Sequence, residues 1–111
     1  METKKNVFAW SFSLAIVLFA GGVQAQTTPA GLMDKMQKNG CTGCHAIDKK
    51  LIGPTFKEVA HRYKADKAAE AKLVAKIKAG GIGNWGSMPM PAQSIKDDEA
   101  KALVTLLLQL Q

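Results

Sequence analysis

Cysteine and histidine are scarce in this sequence, and their scarcity disfavours several kinds of site. The 111 residues contain two cysteines and two histidines. There is no second cysteine pair, and His61 is the only histidine away from the cysteines, which disfavours a zinc site built from Cys and His ligands. The sequence also lacks alternating strand patterns, repeats and low-complexity segments. It has no nucleic-acid-binding module, and we therefore expect no nucleic-acid partner.

The apolar run near the N-terminus, from Val7 to Ala20, is short for a membrane span. A spanning helix needs about 20 apolar residues, and two glycines, Gly21 and Gly22, end this run. Lysines precede it and small residues follow it at Val23 and Ala25, as in a signal peptide. We predict that residues 1–25 are a cleaved signal peptide and that residues 26–111 form one domain in the periplasm. We expect no permanent membrane anchor; a retained N-terminal helix is the alternative.

The 86 residues that follow Ala25 form a small and basic domain. They carry 13 Lys and Arg against 8 Asp and Glu, a formal charge of +5. The lysines are dispersed, which fits either a generally soluble surface or steering toward an acidic protein partner. A core of this size supplies little stability, so we expect a further stabilising element such as a covalently attached cofactor.

The segment Cys41-Thr42-Gly43-Cys44-His45 matches C-x-x-C-H, the attachment signature of c-type haem. Cysteines three positions apart lie on one face of a helical turn, so both sulfurs can reach the vinyl groups of one porphyrin. The histidine that follows is then placed to bind iron through an imidazole nitrogen. The alternatives are a thiol–disulfide redox motif, which expects a strand–helix unit not seen here, and an accidental match.

Apolar periodicity predicts four helices, and the fold class is therefore all-α. The predicted helices are 31–39 with Gly40 as C-cap, 55–63 with Pro54 in the first turn, 67–79 with Asp66 as N-cap, and a last helix that continues to about Gln109, with Ser94 and Asp97 as a capping box. The apolar face of the last helix comprises Ala100, Leu103, Val104, Leu107 and Leu110. We expect these helices to enclose one covalently attached haem.

The segment 82–93 contains two glycines and two prolines and cannot form a regular helix, yet it keeps large apolar side chains. The second axial position of a haem iron is either filled from such a segment or left open. The candidates are Met88, Met90, His61 and the lysines. Prolines on both sides of Met90 hold its backbone extended, so Met90 is predicted as the ligand, although methionines more often fill a core.

Taken together, these motifs resemble the bacterial class I cytochromes of the c-551 (c8) type. The resemblance rests on the segments 39–48, 53–54, 85–91 and 97–100, and it extends over essentially all of residues 26–111. It implies that Cys41 and Cys44 attach the haem and that His45 and Met90 bind its iron.

The same resemblance implies roles for residues around the haem. The Pro54 carbonyl is expected to accept the proton of the His45 ring nitrogen that faces away from iron, which orients the imidazole. Trp85 is expected to donate its indole N–H to a haem propionate. Lys76 occupies a position where relatives often carry a basic residue near that propionate.

The function implied is one-electron transfer by an iron that cycles between Fe(II) and Fe(III), with no enzymatic activity. We expect a monomer that meets redox protein partners briefly. By analogy these are a quinol–cytochrome c reductase upstream and a nitrite reductase or terminal oxidase downstream. Two alternatives remain at this stage: a five-coordinate haem that binds gas or peroxide, and a haem-free C-x-x-C thiol protein.

Overall fold

Four α-helices dominate the computed structural model, which describes Gly22 and residues 28–110. The helices are α1 Leu32–Lys38, α2 Phe56–Tyr63, α3 Ala69–Ala79 and α4 Asp97–Leu107. A 3-10 turn, Cys41–Gly43, lies between α1 and α2. The predicted all-α class is confirmed. The predicted signal peptide and its cleavage site lie outside the described residues, apart from Gly22.

Helix α4 is the centre of the core because it contacts each of the other three helices. Its predicted apolar face is confirmed, since Ala100, Leu103, Val104, Leu107 and the following Leu110 are all buried. Leu32 and Met36 of α1 are fully buried, and they belong to the same cluster as Phe56 and Val59 of α2 and Leu73 of α3. The charged residues of α4 face outward, and Glu99 pairs with Lys35 of α1 at 3.3 Å.

Helix α2 begins with a complete capping box. The Glu58 backbone N–H donates to Thr55 Oγ1 at 3.0 Å, and the Thr55 backbone N–H donates to Glu58 Oε2 at 2.7 Å. Two backbone donors of the first turn are thereby satisfied. Pro54 stands before this N-cap rather than inside the first turn, which corrects the predicted position by one residue. The box fixes the direction in which the chain enters α2 from residues 53 and 54.

Two predicted helix starts are wrong. Helix α3 begins after Ala68, because Asp66 caps a preceding turn: its Oδ1 accepts from the Ala68 backbone N–H and its Oδ2 accepts from Lys72 Nζ. Helix α4 begins after Lys96 without any side-chain cap, so the predicted Ser94–Asp97 capping box does not form. The Asp97 carboxylate instead accepts from Lys78 Nζ at the end of α3.

The segment between α3 and α4 leaves the helix sharply at Gly80, whose φ is 68° and ψ is −157°. Such a backbone suits glycine and is strained for other residues. Directly after it, Gly81 and Met90 pair as an isolated antiparallel bridge, which closes the ends of the loop 82–89. No helix in the described part of the chain has the length and apolarity that crossing a membrane requires.

Candidate haem site

A large cleft opens between the 3-10 turn, the helices and the loop 82–89. It contains about 1050 Å³ of empty space, part of it open to solvent. The residues that line it include the sequence-predicted set: Cys41, Cys44, His45, Pro54, Lys76, Trp85 and Met90. Apolar side chains of α2, α3 and α4 form the rest of its wall, among them Phe56, Val59, Leu73, Leu103, Val104 and Leu107. The fold therefore brings all predicted site residues to one cavity.

The His45 imidazole is oriented by the backbone of Pro54. Nδ1 lies 2.7 Å from the Pro54 carbonyl oxygen. A carbonyl can only accept a hydrogen bond, so Nδ1 must carry the proton and Nε2 keeps the lone pair that a metal requires. The Phe56 ring packs beside the imidazole with the ring centroids 5.5 Å apart. The pairing of His45 with Pro54 is the contact that the family resemblance implies.

Gly53 permits the close approach of the chain to the imidazole. A Cβ built on Gly53 would lie 2.8 Å from His45 Nδ1 and closer still to Cε1. Any side chain at this position would therefore displace the ring from the Pro54 carbonyl. Sequence reasoning noted Gly53 only as part of a family motif, because nothing in the sequence places this residue against the imidazole.

The two cysteines are presented by the 3-10 turn. The backbone N–H groups of Cys44 and His45 both donate to the Cys41 carbonyl, at 3.1 and 2.8 Å. Both cysteines are half-buried, and burial in the cleft raises the pKa of the Cys41 thiol. A thiol–disulfide motif needs a lowered thiol pKa, because the thiolate is the nucleophile. The environment of Cys41 therefore disfavours the haem-free redox alternative.

The two methionines of the distal loop differ in exposure. Met88 is 66% exposed, whereas Met90 is half-buried beside the bridge to Gly81. Both line the cleft. His61, the other histidine candidate, is exposed on α2 and is not among the residues that line the cleft. This placement favours Met90 over Met88 and His61.

Trp85 and Lys76 both reach the cleft. Trp85 is 40% exposed, and the Arg62 guanidinium lies over its ring, 4.6 Å from the ring centroid. Lys76 is half-buried, and its Nζ lies close to the backbone of Gly81. A Cβ built on Gly81 would be 2.9 Å from this Nζ. The sequence did not indicate that Arg62 contacts Trp85, because the two residues are distant in sequence and Arg62 belongs to no motif.

The chemistry of the cleft fits a haem. Its wall is mostly apolar, as a porphyrin ring requires, and two thiols stand at its edge beside an imidazole with a free lone pair. A thioether from Met90 is available in the same cavity. Trp85 and Lys76 also line the cleft. Their indole N–H and ammonium groups are hydrogen-bond donors that the propionate carboxylates of a haem could accept from.

Comparisons with known proteins agree with this arrangement. The family model described as Cytochrome c matches residues 25–111. Cytochrome c-551 of Allochromatium vinosum is 47% identical over 85 residues, covering 74% of this chain and 90% of that protein. Cytochrome c-551 of Azotobacter vinelandii is 54% identical over 69 residues, covering 62% of this chain and 84% of that protein. The crystal structure of wild-type Nitrosomonas europaea cytochrome c552 is similar with a TM-score of 0.69 at 39% identity, covering 71% and 99% of the respective chains.

Proposed function

This chain belongs to the cytochrome c family and is a small electron carrier with covalently attached haem c; we propose that His45 and Met90 are the axial ligands of its iron and that it works in the periplasm. Cys41 and Cys44 form the thioether bonds in this proposal. The haem supplies the one-electron Fe(II)/Fe(III) couple. The chain's own residues hold the ligands, exclude water and present an edge to redox protein partners.

One observation carries the ligand assignment more than any other: the 2.7 Å contact between His45 Nδ1 and the Pro54 carbonyl. It sets the tautomer that leaves Nε2 free, and it limits rotation of the imidazole. A histidine held in this way keeps the same position in both oxidation states, so little structure must rearrange during electron transfer. A hydrogen bond from the ring nitrogen that faces away from the metal is usual for histidine ligands.

Support for Met90 comes from its backbone. Prolines flank it in the sequence, and both of its backbone hydrogen-bonding groups are engaged with Gly81 at 2.9 Å. A thioether is a weak ligand, so a rigid backbone holds it near the iron without relying on the strength of the bond. A neutral thioether in an apolar cavity favours the ferrous form, which raises the reduction potential.

Trp85 and Lys76 complete the proposed haem environment. Both side chains line the cleft, where an indole N–H and an ammonium group can donate to the propionates. We also assign residues 1–25 as the cleaved signal peptide and residues 26–111 as a monomeric haem domain. The proposed partners are a quinol–cytochrome c reductase and a nitrite reductase or terminal oxidase, and the protein itself transforms no substrate.

A visible spectrum of the reduced protein tests the proposal. The precursor would be expressed in a host that attaches haem in its periplasm, and the periplasmic fraction would be analysed. Sharp α and β bands are expected from a six-coordinate c-type haem. Broad bands would indicate an open, five-coordinate site, and absence of a Soret band would indicate a haem-free protein. Mass spectrometry of the purified protein should find a mature N-terminus at Gln26, and a retained N-terminus would contradict the assignment of the signal peptide.

A further inference from the structure

Arg62, in the last turn of α2, contacts two consecutive residues of the loop 82–89. Its Nη1 donates to the Asn84 carbonyl oxygen at 2.6 Å, and its guanidinium lies over the Trp85 ring at 4.6 Å from the centroid. A planar guanidinium is suited to both contacts at once, because its edge donates while its face stacks. Arg62 thus joins one helix to the middle of a loop that is distant in sequence.

The loop otherwise has few attachments of its own. Its ends are closed by the Gly81–Met90 bridge, and inside it the Gly83 backbone N–H donates to the Gly86 carbonyl at 3.2 Å. A loop with few hydrogen bonds to the rest of the protein is expected to open at low cost, and opening would move the residues next to Met90.

We propose that Arg62 is a positioning residue for the distal ligand. It attaches the middle of the loop to α2, whereas the Gly81–Met90 bridge joins the two ends of the loop to each other. Helix α2 is itself fixed in the core through Phe56, Val59 and Ala60. With both attachments present, the loop is held at its middle and at its ends. Without Arg62, only the closure of the ends remains, and the loop opens more often. This inference rests on the proposed ligation by Met90.

The opening can be measured with imidazole as an external ligand of the ferric protein. Imidazole replaces the thioether only in molecules whose loop has opened, so its apparent affinity rises in proportion to the open population. Arg62→Gln should bind imidazole roughly five- to twentyfold more tightly than the wild type, as expected for the loss of one charge-assisted hydrogen bond and one exposed cation–π contact. Arg62→Lys keeps the charge but loses the planar fork, and should show a smaller increase.

Lys64→Gln is the matched control. Lys64 is an exposed cation directly after α2, and its replacement removes the same charge without touching the loop. Its imidazole affinity should equal that of the wild type. Equal shifts in Arg62→Gln and Lys64→Gln would reduce the effect to net charge and would overturn the proposal. A lowered melting temperature of Arg62→Gln with unchanged imidazole affinity would also overturn it, because a merely structural role predicts that result.

The absorption spectrum of Met90→Ala, taken together with the imidazole titrations, separates the positioning role of Arg62 from the proposed ligation by Met90. If the thioether-to-iron absorption survives in Met90→Ala, the ligation proposal fails whatever the Arg62 variants do. If that absorption is lost in Met90→Ala but the Arg62 variants bind imidazole like the wild type, only the positioning role fails. Should Arg62→Gln not accumulate, Arg62→Lys decides: tighter imidazole binding than in Lys64→Gln supports the role, and equal binding overturns it.

Discussion

Gly81 and Met90 exchange two backbone hydrogen bonds, each 2.9 Å long, between the end of α3 and the proposed distal ligand. Met90 is therefore held by a residue of another segment as well as by its flanking prolines. Gly80, the residue before Gly81, lies very close to Met90. A Cβ added to Gly80 would be 2.5 Å from the Met90 carbonyl oxygen. The position of the thioether thus depends on two adjacent glycines.

Replacement of Met90 by alanine should abolish the thioether-to-iron charge-transfer absorption at the red end of the ferric spectrum. It should also lower the reduction potential, because the ligand that favours Fe(II) is lost. The matched variant is Met88→Ala, which removes the more exposed methionine of the same loop. Met88→Ala should keep the charge-transfer absorption. The reverse pattern, with loss in Met88→Ala alone, would show that the assignment of the ligand is wrong.

Gly80→Ala should weaken methionine ligation, because the new methyl group collides with the backbone at Met90 and Ala92. Gly83→Ala is the control for backbone strain, since Gly83 also has a positive φ, 106°, but has nothing within 4 Å of an added Cβ. Absorption spectra and thermal melts of both ferric variants separate the two effects. Both should melt earlier than the wild type, but only Gly80→Ala should lose charge-transfer intensity. Equal charge-transfer intensities in the two variants would mean that the chain accommodates the methyl group of Gly80→Ala without displacing Met90.

Gly53→Ala should disturb the proximal side, since its methyl group would overlap the His45 ring. We expect less haem-containing protein and a changed potential in whatever accumulates, because the Nδ1 hydrogen bond to Pro54 is displaced. Gly43→Ala, within the C-x-x-C-H motif, is a control with open space around the added Cβ. It should retain haem and potential. If Gly53→Ala retains haem and potential as Gly43→Ala does, the close approach of Gly53 to His45 is not required for either property.

The capping box of α2 predicts how stability responds to acid. The backbone hydrogen bond from Thr55 holds the pKa of Glu58 below its usual value. The folded-state pKa is therefore below the unfolded one, so this contribution is present at neutral pH and is lost as pH falls through the folded-state pKa. Glu58→Gln should accordingly lose less stability on acidification than the wild type does, as measured by thermal melts at several pH values.

Thr55→Ala provides the comparison for the capping box. It should destabilise the protein by about 1 kcal/mol at neutral pH, as expected for loss of an N-cap side chain. Because the Thr55 backbone N–H remains, the variant should keep most of the acid dependence that Glu58 contributes. An acid response of Glu58→Gln that matches the wild type would contradict this account of the box.

Electron transfer with a physiological partner should slow as ionic strength rises, because the positive charge of the chain favours encounter with an acidic surface. Screening acts over about 10 Å at 0.1 M salt, so the effect should appear below that concentration. Lys49→Gln, in the exposed loop after the haem motif, should reduce the salt dependence more than Lys101→Gln, which removes an exposed charge from α4.

The alternative mode of docking gives a different salt response. Leu51, Ile52, Ile82 and Met88 are exposed, and an apolar contact through such residues would make the rate nearly independent of salt. Stopped-flow kinetics over a salt series distinguish the two modes. A rate that increases with salt would exclude attraction and indicate a basic partner.

The sequence by itself determined the cofactor, the fold class and the family. Cysteine and histidine at the spacing of Cys41, Cys44 and His45 impose local chemistry, and local chemistry can be read without coordinates. The resemblance to c-551 cytochromes is confirmed by the family match and by relatives at 47% and 54% identity. The apolar face of α4 was predictable because helical periodicity reports which side of a helix is buried.

Only the tertiary structure decided what holds these groups in place. The pairing of Gly81 with Met90, the approach of Gly53 to His45 and the contact of Arg62 with Trp85 depend on how the chain folds back on itself. The capping box at Ser94 and Asp97 was mispredicted for the same reason, because Asp97 binds Lys78 of another helix. The start of α3 was mispredicted for a local reason: Asp66 caps a turn before the helix through the Ala68 backbone N–H and binds Lys72. A carboxylate can satisfy several donors, and the sequence does not show which one it contacts.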